Sequence, residues 1–481
     1  MRSGLVVALV ALTACSSSPV SSEVSSGTAQ VATTVDVVGP GTSVPPTSEA
    51  PQPEVAPLNL IEMPDPSPLE VCEIPDPREK GEGDQLPNTG FPVSLDNLPR
   101  EGTIRVVVVP VHWLTYWGEP AALEAEFAQV RRFVEFYETV SQGALQFEVD
   151  LVDDWTLVPG TPGDYGQERE SWFNEKLTQA AVNAVDDVVD FSGTDILIVV
   201  IPDSSPIPSG GSIFYEGGAV NHASFQGFDT TTQGQRVESD EGQIPNWMGA
   251  GQYFDDPTDV RQEWAYYVHE TGHMFELPDY YVVGEEKQWY SPRPDLEEVN
   301  IPSGPFNHWS IMGNQDGPSR TMNAWSRWLI GWMDDRVLCF DARGNGLGEF
   351  DVELIPLDVY SEGYKAVIVR TGELTGFVVE SRRPIGPDET LTAWEENSGV
   401  EPRGPIVYRV DLAYGNHEAP LRIVPADGRF FEEWFWSDRT PGRHLDALFR
   451  VGDSAVVDGV TVTARQVAEA GDVVRLSMLG S

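Results

Sequence analysis

In the first half of the chain, hydrophobic positions change their period from one segment to the next, as expected for strands that alternate with helices. Residues 104–111 form a short apolar, β-branched run that predicts a buried strand. Apolar residues three and four positions apart predict a helix over residues 119–140, and helix potential returns over 168–189. Residues 146–152 alternate like a half-buried strand, and residues 195–201 form the clearest buried strand. This order predicts a mixed α/β layer.

Beyond Asp335 the helical period disappears and short strand-like runs replace it. Turn residues separate these runs, which predicts an antiparallel β-sandwich-like domain. The runs cover residues 350–357, 365–369, 377–380, 406–410, 456–464 and 472–478. The predicted fold class is therefore α+β, with a mixed α/β domain over residues 100–335 and a β-rich accessory domain over residues 336–481.

Residues 1–15 resemble the signal peptide of a bacterial lipoprotein. Arg2 gives a basic start, and residues 5–12 form an apolar run that is much shorter than the ~20 residues that span a bilayer. Residues 12–15, Leu-Thr-Ala-Cys, resemble a lipobox, whose cysteine is acylated and becomes the mature N-terminus. We therefore expect lipidation at Cys15 and attachment to the outer face of a bacterial cytoplasmic membrane, or secretion. Cleavage beside an incidental, unmodified cysteine is the alternative.

Residues 16–99 are rich in Ser, Thr, Pro and acidic residues and show no sustained period. Such a composition cannot bury enough apolar surface to offset chain entropy, so it predicts a disordered tether. An inhibitory propeptide within this stretch remains an open alternative. Cys72 lies in it, and a disulfide with Cys339 is permitted in an exported protein, although the sequence does not show that the two residues meet.

The net charge of the chain limits the classes of partner that it can bind. It carries 76 acidic and 30 basic residues, for a net charge of −46. A surface of this kind repels nucleic acid and anionic membranes and keeps the protein soluble. We therefore expect no nucleic-acid partner and contact with a membrane only through the lipid anchor. Calcium binding is compatible with this surface, and so is a solvated acidic surface without a specific partner.

The most informative residues for chemistry lie in one predicted helix. His269 and His273 are four residues apart, so a helix places both imidazoles on one face, one turn apart. Neutral imidazole nitrogens suit Zn²⁺, and Glu270 is placed to act as general base on a water that the metal has acidified. An apolar stripe over residues 260–268 supports the helix, which residues 277–278, Leu-Pro, would end. A surface histidine pair beside a carboxylate is the alternative.

A catalytic zinc site needs a third protein ligand. Asp279 follows His273 by six residues, the spacing of the third ligand in proteins with the extended motif His-Glu-x-x-His-x-x-Gly-x-x-His. In this chain the glycine position holds Glu276, so either a left-handed glutamate forms the turn or the third ligand comes from elsewhere. The alternative third ligands are Glu297, Glu298 and His308.

Taken together, these segments resemble the immune-inhibitor-A-like family of secreted bacterial zinc metallopeptidases. The resemblance covers roughly residues 100–415 and departs from the family pattern at Glu276. The zinc helix and the Leu-Pro-Asp-x-Tyr that follows carry it, and the other similar segments are residues 136–143, 309–313 with the family's methionine turn, 324–332, 379–382 and 404–411.

The resemblance implies a zincin-like catalytic domain, bound zinc, protein or peptide substrates and, in many members, Ca²⁺. Met312 would form a hydrophobic floor under the metal, while Tyr281, its neighbour Tyr280 and His308 are candidate contacts to the oxyanion or the substrate. We expect a monomeric endopeptidase. Two alternatives remain open: a catalytically decayed surface binding or adhesion module, because Glu276 breaks the motif, and a zinc hydrolase of a non-protein substrate. A latent form in which Cys72 caps the zinc is also open.

Overall fold

The structure is a computed structural model of the chain. Within the residues that it describes, no helix combines the length and the apolar composition needed to cross a membrane. The described residues are 58–78, 87–93, 97–165, 175–202, 218–221, 237–250, 263–281, 306, 309–313, 319–344, 346–392, 401–416, 418–427 and 447–478.

A mixed sheet forms the centre of the first half. Its strands lie in the order β2-β1-β4-β8-β5, with β3 paired to the end of β1, and β5 is the antiparallel member. A separate hairpin joins β6 to β7. These strands are β1 (Gly102–His112), β2 (Leu145–Leu151), β3 (Thr156–Leu157), β4 (Ile196–Val200), β5 (Gly218–Asn221), β6 (Val237–Ser239), β7 (Gly242–Ile244) and β8 (Asn246–Ala250). The predicted mixed α/β layer is therefore confirmed.

Helices cover both faces of this sheet because β1 is apolar at every central position. Val106 and Val108 pack into the same core as α1 (Pro120–Val140) and α3 (Glu263–Met274), whereas Val107 and Val109 pack into the core that contains α2 (Glu175–Val185). Successive side chains of a strand point to opposite faces, so an uninterrupted valine run needs a cover on each side. The Tyr137 hydroxyl donates to the Val268 carbonyl at 2.7 Å and joins α1 to α3.

The second half contains two packed sheets. One has the order β14-β13-β12-β11-β9 and the other β10-β17-β16-β15, and their inner faces share one apolar core. All the described pairings are antiparallel except that of β9 with β11, which is parallel. The elements are α4 (Ala324–Ile330), β9 (Val337–Asp341), β10 (Gly348–Leu354), β11 (Ala366–Arg370), β12 (Thr375–Arg382), β13 (Gly404–Asp411), β14 (Leu421–Ile423), β15 (Ser454–Val457), β16 (Val460–Ala468) and β17 (Gly471–Met478).

Two expectations for this half need correction. The β-rich region is not a separate accessory domain, because the outer face of the five-stranded sheet, including Ile368 and Tyr408, lies in the same core as α1 and α3. Asn59–Ser481 accordingly forms one unit. In addition, the single run predicted over 456–464 is a hairpin, in which Asp458 and Gly459 have φ of 47° and 85° and form the turn between β15 and β16.

The prediction that residues 16–99 form a disordered tether is also wrong in part. Residues 59–78 and 87–93, named here the N-terminal strap, pack on the rest of this unit. A disulfide between Cys72 and Cys339 attaches the strap to β9, and Ile74 is fully buried in the core. The pairing of Cys72 with Cys339 means that its sulfur does not cap a metal. The composition of residues 16–99 did not predict this packing, because only a few buried residues anchor a segment that is otherwise polar.

Candidate metal centre

The two histidines of the motif converge on one point. His269 and His273 lie on α3, and their Nε2 atoms are 3.2 Å apart. The Nδ1 of His269 lies 2.8 Å from the Ile311 carbonyl, and the Nδ1 of His273 lies 2.9 Å from the Leu277 carbonyl. Since a carbonyl only accepts, each Nδ1 carries the proton and each Nε2 presents its lone pair to the shared point. This is the arrangement of metal-binding histidines.

Asp279 completes a triangle with the two imidazoles. Its Oδ1 lies 3.2 Å from the Nε2 of His269 and 3.4 Å from that of His273. The chain reaches this position because α3 ends at Met274 and Glu276 takes a left-handed conformation, with φ of 59°. Of the two readings that the sequence left open at Glu276, the left-handed turn is therefore the one observed. The Asp279 N–H donates to Asn416 Oδ1 at 2.7 Å, which fixes the returning chain.

The glutamate in the turn is held by side chains that lie far away in the sequence. Its carboxylate accepts from Asn88 Nδ2 at 3.3 Å and from Asn97 Nδ2 at 3.1 Å, and its carbonyl accepts from the Asn88 N–H at 2.6 Å. A left-handed non-glycine residue costs roughly 1–3 kcal/mol. Hydrogen bonds to a charged group contribute about 1.5–3 kcal/mol each, so the two amides offset this cost. The departure from glycine at Glu276 is thus accommodated.

The triangle fits a tetrahedral zinc ion. Ligands about 2.0–2.1 Å from a shared ion at tetrahedral angles lie about 3.3–3.4 Å from one another. The three measured separations between His269, His273 and Asp279 are 3.2, 3.2 and 3.4 Å. Among the residues described, this is the group of His, Cys, Asp and Glu side chains whose donor atoms could hold a metal ion. Two imidazoles and a carboxylate also match the donor types that Zn²⁺ takes.

The electrostatics of the site favour a cation. Burial lowers the pKa of His273, but the carboxylates of Asp279 and Glu270 more than offset it and raise the pKa to about 9. Burial likewise lowers the pKa of His269, while its hydrogen bond to Asp279 and the negative charge of that carboxylate raise the pKa above the ordinary value. Positive charge on this triangle is therefore stabilised, which favours a cation at this point.

Met312 lies under the histidine helix. A Cβ added to Gly272 would lie 2.2 Å from Met312 Sδ, so the thioether packs directly against the backbone of α3 between the two histidines. Met312 is fully buried, and its carbonyl accepts from the Tyr280 N–H at 3.0 Å. The turn that contains it also supplies the Ile311 carbonyl to His269. This segment therefore supports both the histidine helix and the chain that carries Asp279.

The remaining predicted residues differ in their placement. Glu270 is half-buried, next to His269 on α3, so solvent reaches it. Tyr281 interacts with Asp279 through its hydroxyl, and burial together with the charge of Asp279 raises its pKa. Tyr280 is not available as an oxyanion donor, because its buried hydroxyl pairs with Ser326 Oγ at 2.6 Å. Cys15, Glu297, Glu298 and His308 lie outside the described residues.

A buried ionic cluster ties the sandwich to the metal centre and was not recognised as such from the sequence. Arg382 donates to Asp388 at 2.8 Å, to Glu380 at 2.7 Å and to the Trp309 carbonyl at 2.9 Å. Glu380 in turn accepts from the Ala324 N–H at 2.7 Å, at the start of α4. The cluster thus fixes both ends of residues 309–324, which include Met312. In the sequence, the signal for this cluster was the segment 379–382, which contains Glu380 and Arg382.

Neither a scan against models of protein families nor a search of curated proteins finds a match for the chain.

Proposed function

We propose that this protein is a zinc-dependent endopeptidase that acts on extracellular proteins. The single observation that carries the proposal is the triangle of His269 Nε2, His273 Nε2 and Asp279 Oδ1, whose edges of 3.2–3.4 Å suit a tetrahedral ion. The orientation of both imidazoles by backbone carbonyls supports it, because the lone pairs already face the ion position.

Each residue of the site would have a separate role in the hydrolysis. His269, His273 and Asp279 hold the ion, which when bound supplies a Lewis acid that acidifies water and polarises the scissile carbonyl. Glu270 takes the proton from the attacking water and delivers it to the leaving amine. Its half-buried position beside His269 supports this role, because a general base needs contact with solvent and with substrate. Tyr281 orients the ligand carboxylate of Asp279 through its hydroxyl.

The finer assignments belong to the same proposal. A histidine helix packed on a mixed sheet, followed by a methionine turn, supports a zincin-like fold and a relationship to the immune-inhibitor-A-like metallopeptidases. Acylation at Cys15 would place the enzyme on the outer face of a bacterial cytoplasmic membrane. The Cys72–Cys339 disulfide supports an extracytoplasmic location, since disulfides persist in oxidising compartments. We further propose a monomer with peptide or protein substrates and no nucleic-acid partner.

Digestion of casein by the purified protein tests the proposal. We expect one zinc ion per chain, and proteolysis that stops when a chelator removes zinc and returns on its re-addition. Glu270→Gln should retain zinc and lose activity by about 10²–10⁴-fold, because proton transfer contributes that much. Glu135→Gln, an exposed glutamate on α1, is the matched control and should digest casein like the wild type.

Three results would decide against the proposal. Proteolysis that persists without metal would contradict it, and so would full activity in Glu270→Gln. Stoichiometric zinc binding without cleavage of any protein substrate would instead favour a zinc hydrolase of another substrate or a binding module.

A further inference from the structure

The N-terminal strap reaches the metal centre through the turn at Glu276. Thr89 supplies its carbonyl to Trp325 Nε1 at 3.0 Å, and the Phe91 ring packs on Trp328 with centroids 4.6 Å apart. Asn88 is fully buried beside these anchors. Its side chain and its backbone N–H both bond Glu276, so a polar residue of the strap grips the turn at two points.

The position of these two hydrogen bonds matters because Glu276 sets the direction in which the chain leaves α3. Three residues after Glu276 the chain delivers Asp279 to the two histidines. A glycine takes a left-handed conformation without help, whereas a glutamate resists it. The hydrogen bonds from Asn88 and Asn97 go to the carboxylate of that glutamate and hold it in place.

We propose that Asn88 is a positioning residue for the metal centre: the strap, through Asn88 and Glu276, holds the left-handed turn that carries the ligand Asp279. This inference rests on the proposed zinc function and extends it, since it assigns part of the metal affinity to a segment that lies far from the metal ligands in the sequence. Asn88 itself contacts Glu276 and not the ion. The disulfide at Cys72 keeps the strap attached while it does so.

A double-mutant cycle on the full chain, with the zinc dissociation constant measured by chelator competition, tests the proposal. Asn88→Ala should raise the dissociation constant about tenfold, at the low end of the 10–100-fold that partners of metal ligands contribute, because Asn88 acts on Asp279 only through Glu276. In a Glu276→Gly background the same substitution should change it less than twofold, because glycine forms the turn unaided. Asn246→Ala is the control: this buried asparagine of β8 bonds the Asp195 carbonyl at 2.9 Å. It should lower stability without changing zinc affinity.

The cycle separates the possible failures. An equal loss of affinity from Asn88→Ala in both backgrounds would show that Asn88 acts only through packing of the strap, and would overturn the inference while the zinc function stands. An unchanged affinity in the Asn88→Ala protein would overturn it in the same way. A wild-type protein that binds no zinc would overturn the proposed function, and the inference with it.

Discussion

Gly272 offers a sharp test of the packing beneath the histidine helix. Replacing it with alanine adds one methyl group, and that carbon would lie 2.2 Å from Sδ and 2.9 Å from Cε of Met312. Carbon and sulfur atoms in contact lie about 3.5–4.0 Å apart, so Met312 has to move by more than about 1 Å. Met312 is fully buried, so the surrounding core has to take up this movement. The substitution is therefore an overpacking of the core.

Two effects of opposite sign determine how much Gly272→Ala changes the free energy of unfolding. Alanine favours a helix interior over glycine by about 1 kcal/mol. Overpacking costs typically 1–3 kcal/mol, and an overlap of this size lies at the upper end. We therefore expect Gly272→Ala to lower the free energy of unfolding by about 2 kcal/mol. In a Met312→Ala background the three atoms nearest to the new methyl group, Sδ, Cε and Cγ of Met312, are gone, so Gly272→Ala should there raise it by about 1 kcal/mol.

Urea unfolding followed by tryptophan fluorescence, with the disulfide intact, measures both differences. The expected result is a change of sign between the two backgrounds. A Gly272→Ala protein that is more stable than the wild type would refute the reasoning. Equal destabilisation in both backgrounds would do the same, because it would show that some neighbour other than Met312 limits the space at Gly272.

Two further predictions concern buried charges. Arg382→Met leaves Glu380 and Asp388 buried without their guanidinium, so we expect the free energy of unfolding to fall by about 3–5 kcal/mol, seen as a lower urea midpoint; an unchanged midpoint would contradict this. Lys365 is buried, with its ammonium on three backbone carbonyls, and burial lowers its pKa to about 8. Between that value and its unfolded pKa of about 10.4 the unfolded chain binds more protons. The stability relative to Lys365→Met should therefore rise with pH, by about 2 kcal/mol from pH 8 to 10. Parallel pH profiles of the two proteins would disprove the shift.

Elements with a strong period could be predicted from the sequence almost to the residue. The helix expected over 119–140 is α1, Pro120–Val140, and the buried strand expected over 195–201 is β4, Ile196–Val200. The hairpin within 456–464 was missed because the alternation of apolar residues continues across the turn. Asp-Gly at 458–459 was the signal, since both residues have the positive φ that a tight hairpin requires.

The candidate site was predictable where it depends on helical spacing and not where it depends on distant chain segments. His269 and His273 converge because a helix repeats every 3.6 residues. The bonds from Asn88 to Glu276 join residues 188 apart, and no local pattern reports them. The strap was assigned to a tether for the same reason, because one buried cysteine and one buried isoleucine do not change the average composition of a long polar stretch.

The disulfide has a consequence for what happens when the backbone is cut. Cys72 and Cys339 are separated by 267 residues, and His269, His273 and Asp279 lie between them. A single backbone cut anywhere in that interval leaves both fragments covalently joined, so a nicked molecule runs as one band on a denaturing gel until a reductant is added. Cleavage in a surface loop between the two cysteines therefore need not release either fragment into solution.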